Sequence, residues 1–400
     1  MGFDSIIFLI FIASFFFTLL FSYIDFKRKK PVSKEPYISI VIPTYNDGDT
    51  IGESIASVYD SYNKEKFEII VVNDKSTDNT LEKLEVLRNK YNFTILNNDE
   101  NLGKVRSLNH AVDHTKGDFI LFLDSDTLIS KKALFDMLSS LENPRVAAST
   151  CRYRAKNKGF MARMQELEYG LLGLIQTSYN LTSTISLWGG CILIKKNALE
   201  SVGRFSLNML IEDMDLALKL GENGWKVRES HYSVASYVPT SFKVYYKQKM
   251  RWAAGFGQNF FAHYKTFFRN PMVIFFFLTY SLLTFSFVFL MIRNILFVDN
   301  LYQIFESIRD QGYSFFNSLY MMQLSNSFHF FKTLSLYFLY PLFSLPYALM
   351  NINSRKEWYK VWLVFPFSIL YMPVYSVISV TGILKGIKDF YTIKKDQRGW

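Results

Sequence analysis

Hydrophobic and polar positions follow two regimes along this chain. From residue 37 to about 125, short apolar runs recur between polar turns and amphipathic stretches. YISIVIP (37–43), FEIIVVN (67–73), FTILN (93–97) and DFILFL (118–123) read as four strands, with helices predicted over 50–59, 80–90 and 104–114. Apolar strands alternating with helices predict an α/β unit, a parallel sheet covered on both faces. Such sheets hold ligands at the carboxyl ends of their strands. PTYNDGDT, DKSTDNT and Asp124-Ser125-Asp126 stand at those ends. Residues 145–240 are less regular: a long helix is predicted over 160–181, then a turn at Gly189-Gly190 and an acidic helical stretch over 211–220.

The second regime is apolar throughout. Residues 5–24 (SIIFLIFIASFFFTLLFSYI) carry no charge, and as a helix they would cross a bilayer core of about 30 Å. Residues 271–292, 333–354 and 361–384 are also free of Asp, Glu, Lys and Arg. Asp4 ahead of the first run and Lys27-Arg28-Lys29-Lys30 behind it suit a retained anchor better than a cleaved signal peptide. Basic residues stay on the cytosolic side, which puts the following domain there. Three later crossings would then leave the basic tail outside, against the same rule. Either 311–331 dips into the membrane or the proline-broken 361–384 segment (Pro366, Pro373) does not cross simply. Residues 242–268 mix Lys and Arg with Trp252, Phe256, Phe260, Phe261, Tyr264, Phe267 and Phe268, the pattern of a helix lying on a bilayer.

The net charge of +10 does not point to nucleic acid, because much of it flanks membrane segments, at Lys27 to Lys30 and at Lys385, Lys388, Lys394, Lys395 and Arg398. The two cysteines, Cys151 and Cys191, have no metal-site spacing and fit reduced cytosolic thiols. The five histidines form no ligand cluster in the sequence.

Four elements carry candidate chemistry. Asp124 and Asp126, one residue apart at a strand end, suit a cation whose other ligands are water and phosphate, although Asp is also a common turn former. Asp74 could read a base edge, in a turn whose Ser76, Thr77 and Asp78 could equally cap a helix. Glu212, Asp213 and Asp215 are close enough in sequence to raise one another's pKa for general-base work, or they form the acidic first turn of a helix. In Gln248-Lys249-Met250-Arg251-Trp252, Arg can clamp a diphosphate and indole can stack on a sugar; an interfacial anchor is the plain alternative.

In this order, Asp74, Asp124-Ser125-Asp126, Glu212-Asp213 and Gln248-x-x-Arg251-Trp252 resemble the D, DxD, ED, QxxRW series of family 2 glycosyltransferases. The chain is similar to that family's membrane-integrated processive members, the poly-N-acetylglucosamine, hyaluronan, chitin and cellulose synthases. The bacterial poly-N-acetylglucosamine synthases share the single anchor, NLGKVRSLN and a short C-terminal membrane region. The resemblance covers residues 37–268 well and implies a GT-A fold and an inverting transfer from a UDP-sugar, with UDP-N-acetylglucosamine favoured. It implies that Thr44, Tyr45 and Asp74 border the nucleoside, and that Lys104 and Arg251 meet the donor diphosphate. Asp124 would face ribose and metal, and Asp126 would ligate Mg²⁺ or Mn²⁺. Asp213, beside Glu212, would be the base. Gln248 and Trp252 would close over the acceptor, with Trp188 and Gly189 nearby. Ile211 departs from the family's Thr, and Trp188-Gly189-Gly190 departs from its Ser/Cys-Gly turn. Trp188 is a sugar platform or a core residue.

The boundaries that follow are 1–30 for an anchor and basic flank, 37–240 for a cytosolic catalytic domain, 241–270 for the interfacial QxxRW region, 271–384 for a membrane region and 385–400 for a basic tail. The expected product is a polysaccharide elongated at the cytosolic face of the cell membrane; the alternative is one sugar placed on a membrane lipid. The expected partners are the UDP-sugar, a glycan or lipid acceptor, membrane lipids and an accessory membrane subunit, with no nucleic acid.

Overall fold

The computed structural model describes residues 3–28, 35–269 and 358–396, with Val32, Ile274 and Arg309 besides. The apolar runs at 271–292 and 333–354, and the segment 311–331, lie outside the described residues.

The first half alternates as its pattern predicts. In chain order it runs α1 (Phe3–Arg28), β1 (Ile38–Thr44), α2 (Ile51–Tyr59), β2 (Phe67–Asn73), α3 (Thr80–Arg88), β3 (Thr94–Asn97), α4 (Lys104–Val112) and β4 (Phe119–Leu123). There follow β5 (Thr127–Leu128), α5 (Lys131–Leu141), β6 (Val146–Thr150), β7 (Tyr153–Ala155) and α6 (Phe160–Tyr179). Then come β8 (Cys191–Lys195), α7 (Lys196–Ser201), α8 (Glu212–Glu222), β9 (Lys226–Glu229), β10 (Val234–Ser236), α9 (Phe242–Ala262) and α10 (Tyr264–Arg269).

A seven-stranded sheet has the order β3-β2-β1-β4-β8-β6-β9. The expected wholly parallel sheet is corrected here, because β8 runs antiparallel to both β4 and β6. Pairing of Leu123 with Cys191 sets the start of β8 beside the end of β4. That reversed course carries Gly189-Gly190, just ahead of β8, to Asp124, whose N–H donates to the Gly190 carbonyl at 3.0 Å. A second sheet, β5-β10-β7, stands beside it.

Both faces of the large sheet are covered. Alternate β1 residues Ile38, Ile40 and Ile42 pack with Ile51, Ile55 and Leu84, while Val41 joins Ile70, Val72, Leu108 and Leu216 on the other face. This period of two buries every β1 side chain. The cysteines are free and buried.

The second half of α1 is tied to this unit by polar contacts. Asp25, 5% exposed, meets Arg228 at 3.1 Å and His231 Nε2 at 2.8 Å, and accepts from Asn180 Nδ2 at 2.8 Å. Ser22 and Thr177 share a hydrogen bond of 2.8 Å.

Toward the C-terminus, two short helices, α11 (Tyr359–Trp362) and α12 (Val364–Pro366), lead into a π-helical turn at Phe367–Tyr371 and then α13 (Met372–Asp396). Pro366 marks the irregularity, as a proline without an N–H does. The expected boundary between 384 and 385 falls inside α13. Among the described residues no helix is long and apolar enough to cross a membrane.

Candidate active site

The carboxyl ends of β1, β2 and β4 lie side by side, since Thr44 pairs with Asn73 and Val41 with Phe122. Asp74 is 4% exposed, and its carboxylate accepts from Asn98 Nδ2 and from the Leu102 and Gly103 N–H groups, each at 2.8 Å. These bonds hold the loop that starts α4, where Gly103 takes φ +81°, a backbone conformation costly for any residue with a Cβ. Lys104 follows immediately and reaches across the site. Its Nζ lies 2.5 Å from Asp124 Oδ1 and 4.0 Å from Glu212 Oε1, and donates to the Gly189 carbonyl at 3.2 Å. Burial works to lower its pKa, but Asp124, Glu212 and Asp213 outweigh that and push it up.

The carboxylates around it are raised as well, which for them disfavours the charged form. Burial, joined by the charge of Asp124, pushes Asp126 up to about 6 against the Thr127 hydroxyl bond and Lys104. Asp124 is raised by burial, with Lys104 opposing. Burial and the adjacent Glu212 push Asp213 up to about 7. Asp215, which the sequence grouped with Asp213, points elsewhere. It meets His263 Nε2 at 2.9 Å and Lys219 at 3.8 Å. Burial tends to raise Asp215, but the bonds from His263 and Ser206 leave it lowered overall.

Gly189 and Gly190 pass between these groups with no room to spare. A Cβ on Gly189 would lie 2.6 Å from Asp213 Oδ2, and one on Gly190 2.6 Å from the Tyr153 hydroxyl and 3.1 Å from Asp124 Oδ2. Gly189→Ala is therefore expected to fold but to push Asp213 aside, lowering turnover on the order of a hundredfold, the scale of a 1 Å misplacement. Steady-state kinetics beside a melting curve checks this; unchanged turnover would refute the packing argument.

Tyr153 and Asp47 escaped the sequence analysis. Tyr153 accepts from the Gly190 N–H at 2.7 Å. Asp47 Oδ2 accepts from Ser125 Oγ at 2.6 Å, Tyr45 N–H at 3.1 Å and Thr44 Oγ1 at 3.3 Å, linking the PTYN turn to the middle of Asp124-Ser125-Asp126. Its position three residues after Thr44 in a polar turn was the available signal. Thr44 is buried and Tyr45 exposed.

Trp188 belongs to the core. It is 6% exposed, donates Nε1–H to Glu229 at 3.2 Å, and stands edge-on to Tyr153 and Tyr169 with centroids 5.2 and 5.7 Å away. Of the two readings of Trp188, this burial favours the core one. Trp252, partly buried, joins the same cluster through Tyr169 at 6.1 Å. Gln248 Oε1 is buried without a hydrogen-bond partner among the described residues.

Arg251 donates to the Leu210 carbonyl at 3.2 Å. Further along α9, Gln258 accepts from the Leu210 N–H at 2.9 Å, Asn259 Nδ2 donates to the Ile211 carbonyl at 3.2 Å, and Gly255 abuts the Ile211 side chain. Ile211 thus fills a space where α9 has no side chain. The QxxRW helix holds the segment that enters α8, whose first residues are Glu212 and Asp213.

An α/β sheet that gathers Asp124, Asp126, Glu212, Asp213 and Lys104 at its strand ends, with a reversed strand beside β4, is a GT-A-like fold, the architecture of nucleotide-sugar transferases. Residues 39–203 match the sequence model of Glycosyl transferase family 2. It is 30% identical over 236 residues to a poly-beta-1,6-N-acetyl-D-glucosamine synthase of Staphylococcus aureus, covering 57% of each chain. The like-named enzyme of Staphylococcus epidermidis is 31% identical over 223 residues, 54% of each. The match thus spans little more than half the length of these curated relatives. Among solved structures, the mannosyltransferase PcManGT from Pyrobaculum calidifontis, in complex with GDP-Man and Mn²⁺, superposes with a TM-score of 0.56 at 18% identity, over 95% of this chain and 98% of that one.

Proposed function

We propose that the chain is an inverting hexosyltransferase that elongates a polysaccharide from a UDP-sugar, with UDP-N-acetylglucosamine as the favoured donor. The observation that carries this is Asp213, pushed up to about 7 and seated against Gly189 within reach of the Lys104–Asp124 pair. A carboxylate titrating near neutrality suits a general base. The curated relatives, by their names, synthesise poly-beta-1,6-N-acetyl-D-glucosamine, which supports the donor and the polymeric product.

In this mechanism Asp213 takes the proton of the acceptor hydroxyl, which attacks the anomeric carbon opposite the leaving UDP. Glu212 keeps Asp213 basic by repulsion, and Lys104 faces the diphosphate. Asp74 acts on the nucleoside side through the loop it ties to Lys104, while Thr44 and Tyr45 border the base. Arg251 steadies Leu210, and Gln248 offers its buried oxygen to an acceptor hydroxyl.

Mg²⁺ or Mn²⁺ suits Asp124 and Asp126, a pair of hard carboxylate donors in a partly buried setting that raises both pKa values. Among the described residues no group of three or more acidic, His or Cys side chains forms a ready cage, so water and diphosphate oxygens would complete the shell. Such a cation neutralises the leaving diphosphate.

A membrane setting, with the catalytic unit cytosolic, is part of the proposal. Its support is the uncharged run at 5–24, the basic flank behind it, and the exposed Phe242, Val244 and Tyr246 beside Lys243 and Lys247 on α9.

Product length tests the polymerase reading. Trp252 is the aromatic face offered to the acceptor, and losing a stacked ring costs about 0.5–1.5 kcal/mol beyond area. At about 1.4 kcal/mol per factor of ten, Trp252→Ala should release chains several-fold to tenfold sooner and shorten the product. The test is to incubate the detergent-purified chain with radiolabelled UDP-sugars and size the products. A wild-type product of one sugar on lipid would overturn the polymerase and leave the transferase.

A further inference from the structure

The middle of the QxxRW segment contains a buried cation that the mechanism above does not use. Tyr245, Lys249 and Trp252 recur at i, i+4 and i+7 on α9, so they share one helix face. Lys249 is 2% exposed, and its Nζ lies 2.7 Å from Glu168 on α6, which is equally buried. Three rings surround the ammonium: Trp252 at 4.1 Å, Tyr169 at 4.5 Å and Tyr245 at 5.6 Å to their centroids. Burial lowers the Lys249 pKa and Glu168 opposes the fall. A desolvated ion pair is weak evidence of stability, because apolar residues of similar volume often serve as well. Its presence one residue from Gln248 and three from Trp252 needs another reason.

The geometry supplies one. A cation over an aromatic face attracts the ring through its quadrupole. With Lys249 covering one face of Trp252, only the opposite face remains for stacking. Glu168 fixes where the ammonium sits, and thereby ties the indole plane to α6. Given the transferase reading, we infer that the Glu168–Lys249 pair is a positioning device that sets the plane of Trp252 for the acceptor sugar. Lys249 itself does not touch substrate.

The test uses the full chain in detergent, with UDP-N-acetylglucosamine as donor and a β-1,6-linked N-acetylglucosamine pentamer as acceptor. Lys249→Met should raise the acceptor KM by about three- to thirtyfold, the factor for losing a desolvated cation–π contact. The donor KM and acceptor-free donor hydrolysis should stay within about twofold. In a Trp252→Ala background the same substitution should change nothing further, because it acts through the indole. Where Lys249→Met strands the Glu168 charge and the chain fails to fold, Lys249→Met with Glu168→Gln removes both charges together and carries the same expectations. A second readout is independent of catalysis: in chain labelled with 5-fluorotryptophan, the Trp252 resonance, assigned with Trp252→Phe, should shift and broaden while that of Trp225 stays. An equal loss in the Trp252→Ala background, donor hydrolysis falling in step with acceptor affinity, or an unmoved Trp252 resonance overturns the inference. A wild-type chain that neither transfers nor hydrolyses UDP-sugar overturns the transferase reading instead, and the fluorine spectrum then decides the positioning role.

Discussion

Asp213→Asn is expected to bind UDP-N-acetylglucosamine normally and to turn over at least about a hundredfold more slowly, the scale of a lost general base. The amide keeps the side chain's size and can still accept from the Met214 N–H, which lies 2.7 Å from Asp213 Oδ1, but it cannot take a proton. The pH dependence adds a second signature. Transfer needs the carboxylate, so kcat/KM of the wild type should rise with pH through about 7, where burial and Glu212 set this group, and Asp213→Asn should lose that limb. Stability moves the opposite way. Between the ordinary aspartate value of 3.8 and about 7 the folded chain holds more protons here than the unfolded one, so stability falls as pH rises through that window. Asp213→Asn should therefore melt higher than wild type at pH 8 in EDTA. Loss of donor binding in the variant would make Asp213 a ligand contact and end its assignment as base.

Removing the metal should abolish transfer outright. EDTA is expected to reduce activity to background and Mn²⁺ or Mg²⁺ to restore it, since nothing else described near Asp124 offers a divalent charge to the leaving diphosphate. Lys104 carries a single charge and already faces Asp124 at 2.5 Å. Asp126→Asn should stay folded yet remain inactive at every metal concentration. Isothermal titration of Mn²⁺ with UDP into wild type and variant separates lost binding from lost chemistry. Full activity of Asp126→Asn would remove the metal from this pair.

The four strands between 38 and 123 were legible because each is an apolar run ended by a polar turn. β8 was not, although CILIK is apolar, because strand direction is set by the connection that enters it. Here that connection is α6 and the Gly189-Gly190 turn. The candidate residues at strand ends were legible from their order, and the structure gathers Lys104, Asp124, Asp126, Glu212 and Asp213. Their partners were not. Nothing in VVND announces that Asp74 will accept the N–H groups of Leu102 and Gly103, which arrive from the end of another strand. Glu168 and Lys249 meet across 81 positions, and no local pattern marks a pair so far apart. Trp188 could be settled only by burial, since an indole suits a core and a sugar equally well.

Segment 208–211, held from α9 by Gln258, Arg251 and Asn259, bears on how errors add up in the site. A distance that must be kept between two parts is best kept by few joints, because the play in each joint accumulates. Were Trp252 and Asp213 located only through the strands of the sheet, their separation would inherit the play of every connection between them. Here one helix carries the indole and grips the residues directly ahead of Asp213, so that separation passes through a single rigid member. Wholesale drift of α9 would carry Trp252 and the segment ahead of Asp213 together, and their spacing would stay constant while their absolute position wandered.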